Sequence, residues 1–131
     1  MIVDASAILA IMLEEEDGDA FEDALLLAQK RHHVMSPVNY LEAAVRLDAL
    51  KGTRKGAQLD AMLEDFGVNL VAVTPKQARF ARQAYQRYGK GNHEAKLNLG
   101  DCFAYALAKA RSEPLLFKGD DFRKTDVEAA L

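Results

Sequence analysis

The sequence predicts an α/β fold: a short parallel sheet of four to five strands with helices on both faces, in a single domain over residues 1–131. Three observations carry that reading. Short apolar runs alternate with longer segments of helical period, the pattern of parallel strands joined by crossover helices. A chain of 131 residues, 50% of them hydrophobic, is enough to bury one core. No repeat, low-complexity tract or linker divides it.

The elements follow in order. Met1 to Val3 is a first strand, too short for a helix and ended by Asp4. The acidic run LEEEDGDAFED, Leu13 to Asp23, reads as a charged turn and a first helical turn, where acids favour the helix dipole; Phe21, Leu25 and Ala28 give that helix its apolar face. His33 to Met35 is a second strand, and Ser36 with Pro37 supplies an N-cap and first-turn proline for the next helix, with Val38, Leu41 and Val45 as its core face. KGTRKG, Lys51 to Gly56, reads as a loop, and Leu70 to Val73 as a third strand. Thr74 and Pro75 repeat the helix-start signal, and Ala78, Ala81, Tyr85 and Tyr88 make a core stripe. After a loop at Tyr88 to Lys96, Asn98 opens a helix bearing Phe103, Ala106, Leu107 and Ala110, and Pro114 leads into the last strand, Leu115 to Phe117.

Composition narrows the function. Seventeen Lys and Arg against twenty Asp and Glu leave a net charge of -3, so no global basic field advertises a nucleic-acid partner and any such contact comes from local patches. Basic residues cluster at Lys30 and Arg31, at Lys51, Arg54 and Lys55, along Arg79, Arg82 and Arg87, and at Lys90, Lys96, Arg123 and Lys124. Arg46, Lys118 and Arg123 are the ones nearest the acids discussed below. Cys102 is the only cysteine, which excludes an internal disulfide framework. No apolar run reaches the roughly 18 residues of a membrane span, and the N-terminus lacks a basic secretory start, so a cytoplasmic protein is expected. His32, His33 and His93 have no metal-ligand spacing and are expected at the surface or in loops.

Four acids fall where an open parallel sheet presents its C-terminal edge, the place at which α/β folds build sites. Asp4 ends the first strand, Glu42 lies one helical turn beyond Asn39 and one before Arg46, Asp101 sits in the first turn of its helix, and Asp120 follows Gly119 after the last strand. Each also has an ordinary structural reading. Asp4 can cap a helix, Asp101 can complete a capping box with Asn98, Glu42 can pair with Arg46, and Gly119, Asp120 and Asp121 can form only a turn. Jointly they point elsewhere, because four carboxylates at one edge repel unless a cation sits among them, and hard oxygen donors suit Mg²⁺ or Mn²⁺.

The segments IVDASA (Ile2 to Ala7), SPVNYLEAAVRL (Ser36 to Leu47), LNLGDCFAYALAKA (Leu97 to Ala110) and PLLFKGDDFRKTDV (Pro114 to Val127) resemble, in order and over essentially the whole chain, the motifs of PIN-domain proteins. They are most similar to the VapC-type toxins of prokaryotic toxin–antitoxin pairs. That resemblance implies a metal-dependent endoribonuclease cleaving RNA such as tRNA or rRNA, with acidic residues at Asp4, Glu42, Asp101 and Asp120 and Ser6 as the small polar companion of the first. It further implies a cognate VapB-type antitoxin and a homodimer. Where many relatives carry threonine or alanine before the last acid, this chain has Lys118 and Gly119, which are expected to alter the loop rather than the ligand set.

The chemistry gives such a set its own reason, since phosphodiester cleavage needs an activated water and charge neutralisation that carboxylate-held divalent ions provide. Asp4 and Asp101 are expected to bind metal directly, Asp120 directly or through water, and Glu42 through water or as an orienting base, with Ser6 and Asn39 in support. Asp120 rather than Asp121 is expected to face the site, Asp121 capping the following turn. Two other classes stay open. An aspartate after the first strand and a late GDD also suit a haloacid-dehalogenase-type phosphatase, although that motif wants a second acid where Ser6 stands. A non-catalytic PIN-like interaction module is the other, and its mark would be loss of one of the acids.

Overall fold

The computed structural model describes residues 1–28 and 32–131, so the expected basic pair Lys30 and Arg31 lies outside the described residues. The chain runs β1 (Ile2–Val3), α1 (Ala5–Met12), α2 (Gly18–Leu27), β2 (His33–Met35), α3 (Pro37–Lys51), α4 (Thr53–Asp65), β3 (Val68–Leu70), α5 (Pro75–Tyr88), α6 (Leu99–Arg111) and β4 (Leu115–Leu116), followed by one 3₁₀ turn, Phe122–Lys124. The strands pair in the order β3-β2-β1-β4, all parallel. A fifth partner exists only as a single bridge, Leu115 to Ala129, where the C-terminal tail covers the outer edge of β4.

Because successive strand residues point to opposite faces, the short strands divide one core into two layers. Val3, Met35 and Leu116 pack with Ile8, Leu25, Leu47 and Leu59 from α1 to α4. Ile2, Val34 and Leu115 pack on the other side with Ala81, Tyr88, Leu107 and Phe122, from α5, α6 and the tail. Helices on both faces are therefore the expected arrangement realised. Leu116 is fully buried, and Leu116→Ala is expected to cost about 2–5 kcal/mol, measured by urea unfolding. Among the described residues no helix is long and apolar enough to cross a membrane.

The cap signals act where expected. The Ser36 hydroxyl accepts from Val38 N, Thr74 from Gln77 N, and Asn98 from Asp101 N. Four expectations are corrected. The third strand is Val68–Leu70 rather than Leu70 to Val73. Pairing of Val68, Asn69 and Leu70 with β2 fixes its register, and the apolar Val71 to Val73 run on toward the Thr74 cap. Lys51 to Gly56 is not a loop, because Gly52 alone, at φ +81°, turns the chain from α3 into α4. The buried stripe of α3 is Asn39, Ala43 and Leu47, while Leu41 and Val45 are 60% and 59% exposed. Tyr88 is buried as expected, but Tyr85 is half open to solvent and its hydroxyl donates to the Lys90 carbonyl.

Candidate active site

At the C-terminal end of β1, Asp4 serves as N-cap of α1 and is 4% exposed. Its Oδ2 accepts from Ser6 N at 3.1 Å and from the Ser6 hydroxyl at 2.5 Å. Ser6 Oγ in turn accepts from Lys118 N at 3.0 Å, so one hydroxyl ties the ends of β1 and β4 together. The second carboxylate oxygen, Asp4 Oδ1, is buried with no hydrogen-bond partner among the described residues. Burial outweighs the hydrogen bonds from Ser6 and pushes the Asp4 carboxyl above its ordinary range.

On α3, Asn39 is fully buried, and its amide donates to Glu42 Oε1 at 3.0 Å and to the Gly100 carbonyl at 2.9 Å. Both neighbours are acceptors, so only the NH₂ can face them, and Asn39 Oδ1 is left buried without a partner. Glu42 is half-buried, and burial raises its carboxyl with a further push from the charge of Asp4. Asp101 completes a true capping box: its N–H donates to Asn98 Oδ1 at 2.8 Å and its Oδ2 accepts from Asn98 N at 3.0 Å. Burial lifts its carboxyl to about 7, helped by the charges of Asp4, Glu42 and Asp121. The structural and functional readings of Asp4 and Asp101 are thus not alternatives, since each cap also aims a carboxylate into a shared field.

The last acid lies in the turn after β4. Asp120 and Asp121 both stand exposed after Gly119, whose φ is +99°. The charge of Asp121 is among those that raise the Asp101 carboxyl. The two acids of this turn, one residue apart, are both placed by the sharp bend at Gly119. Gly100 was not anticipated at all. A residue beside Asp101 gives little signal in sequence, but the Glu42 carboxylate lies where a Cβ at position 100 would stand. Of the cations expected nearby, Lys118 is engaged by Glu15 and Asp17. Arg123 donates to the Leu131 carbonyl and covers the Phe117 ring, and Arg46 is exposed. His33 is buried rather than at the surface, its Nε2 against the Leu25 carbonyl.

These donors fit a hard divalent cation. Asp4, Glu42 and Asp101 are oxygen-only, the charge of Asp4 raises both of the others, and Asp4 Oδ1 is buried without a hydrogen-bond partner among the described residues. Among the described residues no three of them stand close enough together to hold an ion as they are.

The comparisons decide the family. The PIN domain model matches residues 1–128. The chain belongs to the PIN-domain family, among the VapC ribonucleases. It is 49% identical over 129 residues to Ribonuclease VapC of Mycolicibacterium smegmatis, covering 98% of each chain. With Ribonuclease VapC30 of Mycobacterium tuberculosis it shares 47% over 127 residues, 97% of this chain and 95% of that one. In three dimensions the PIN domain superposes on crystalline VapC20 of Mycobacterium tuberculosis with a TM-score of 0.79, over 96% of this chain and 95% of that one, at 17% identity. That likeness establishes the fold. The phosphatase alternative falls with the family match, and none of the four acids Asp4, Glu42, Asp101 and Asp120 is lost from the sequence.

One consequence concerns pH. Between the ordinary carboxylate value of 3.8 and about 7, folded Asp101 holds a proton that the unfolded chain has released. The stability of the metal-free PIN domain therefore falls as pH rises through that window, and the penalty is complete above it. Asp101→Asn, which keeps an acceptor for the cap, is expected to raise Tm in chelator more at pH about 8 than at about 4.5. Taking variant against wild type cancels the opposite contribution of His33, whose burial lowers its pKa. Equal shifts at both pH values would contradict this.

Proposed function

We propose that this ribonuclease is a Mg²⁺- or Mn²⁺-dependent endoribonuclease toxin whose ion is held by Asp4, Glu42 and Asp101 with a carboxylate from the Asp120–Asp121 turn. The observation that carries the reading is the buried Asp4 Oδ1, without a hydrogen-bond partner among the described residues, beside two further raised carboxyls. When bound, such an ion supplies charge neutralisation and an activated water for phosphodiester cleavage. The residues do the rest. Ser6 fixes the Asp4 rotamer and couples it to the β4 end through Lys118 N. Asn39 holds Glu42, and the capping box holds Asp101. Asp4 and Asp101 are the direct ligands in this reading, with Glu42 acting directly or by orienting a water.

The substrate is structured RNA. VapC20, the solved neighbour, is a toxin that cleaves the sarcin–ricin loop, and a folded rRNA loop or tRNA is the corresponding class for this chain. A VapB-type antitoxin in the same cytoplasm neutralises it, and an arginine placed among these acids would block the site by charge. Self-association is supported by the apolar surface of Leu41 and Val45 on α3 and Leu99 at the start of α6, 60%, 59% and 72% exposed. Leu41→Asp with Val45→Asp is expected to shift the protein from dimer to monomer in sedimentation, and an unchanged mass would reject this face.

The test is purified protein with tRNA and rRNA fragments, with Mn²⁺ or with chelator. Cleavage in Mn²⁺ alone supports the proposal, and cleavage that persists in chelator rejects it. Hydrolysis of p-nitrophenyl phosphate with RNA left intact rejects it equally.

A further inference from the structure

We infer that Gly100 is a positioning residue: the missing side chain at 100 makes the notch in which the Glu42 carboxylate rests, with Asn39 as the clamp that keeps it there. The inference rests on the carboxylate site proposed above and names what sets its geometry. A Cβ at position 100 would meet, as its three nearest atoms, Oε1, Cδ and Oε2 of Glu42, the last at 2.5 Å. No ordinary carbon and oxygen approach so closely, and only glycine is compatible with Glu42 where it stands.

Asn39 works from the other side. One amide group bonds Glu42 Oε1 and the Gly100 carbonyl together, so the helix carrying Glu42 and the helix carrying Asp101 are locked at the same point. Gly100 lies within the first turn of α6, between the Asn98 cap and Asp101. Its position relative to Glu42 therefore also sets the separation of two site carboxylates. Backbone strain is not the reason for this glycine, since its φ is not positive. Alanine is the better helix former there, and the group it would displace is the free end of a flexible side chain. The substitution is thus predicted to leave the fold intact while moving Glu42.

The experiment compares wild type, Gly100→Ala, Glu42→Ala and the double variant. Mn²⁺ affinity is read by calorimetry, and Tm is read in chelator. Gly100→Ala is expected to weaken Mn²⁺ binding about 10-fold, the usual effect of disturbing a group that orients a ligand, without lowering Tm. In the Glu42→Ala background it should change Mn²⁺ affinity no further. The metal-free measurement is independent of the ion: Gly100→Ala should raise Tm more when Glu42 is absent than when it is present. Additive Tm shifts, or an equal loss of Mn²⁺ affinity in the Glu42→Ala background, would overturn the inference. Wild type that binds no Mn²⁺ would reject the metal site itself, and the Tm cycle would then decide the notch alone.

Discussion

Asp4→Asn is expected to abolish Mn²⁺-dependent RNA cleavage, by at least about 100-fold, while the protein stays folded. Asparagine is as good an N-cap as aspartate, and its side-chain oxygen can still accept from Ser6 N. What it loses is the charge on a carboxylate that is buried and whose Oδ1 has no partner. In metal-free protein that charge is a cost, because burial already pushes the carboxyl upward. The variant should therefore match or exceed wild-type Tm in chelator, yet gain less from added Mn²⁺. A fall in both Tm and activity would instead make Asp4 chiefly a structural cap.

The second large effect separates the two acids of the last turn. The charge of Asp121 is among those that raise Asp101. Asp121→Asn is accordingly expected to cost about 10-fold or more in kcat/KM, the scale for a group that supports a ligand, and Asp120→Asn clearly less. The assay is cleavage of one RNA at saturating Mn²⁺, with Tm as the control for folding. Cleavage lost on Asp120→Asn and kept on Asp121→Asn would instead bear out the register expected from sequence.

Much of the fold was legible because its signals are local. Ser36, Thr74 and Asn98 each cap a helix within three residues of themselves, and cap chemistry is written in those few side chains. Asp4 and Asp101 were found for the same reason, as polar residues at element ends. The buried face of α3 was misread because Val38, Leu41 and Val45 also make a helical stripe. The stripe that is actually buried begins with Asn39, whose polarity hides it until its partner is known. That partner is Gly100, 61 residues away, and no local pattern announces it. The choice between Asp120 and Asp121 is harder to read from sequence, for the direction of two adjacent side chains after Gly119 depends on backbone angles rather than composition. His33 was misplaced because a lone histidine carries no mark of the carbonyl that receives it.

The central claim is that the carboxylates of Asp4, Glu42 and Asp101 hold the ion on which cleavage depends. The most direct measurement sets the Mn²⁺ affinity of wild type and Asp4→Asn, by calorimetry, beside the Mn²⁺ concentration that half-activates RNA cleavage. The account predicts that the two values agree in wild type and that both are lost together in Asp4→Asn. Unchanged Mn²⁺ binding in the variant, or wild-type cleavage at full rate in chelator, would contradict it.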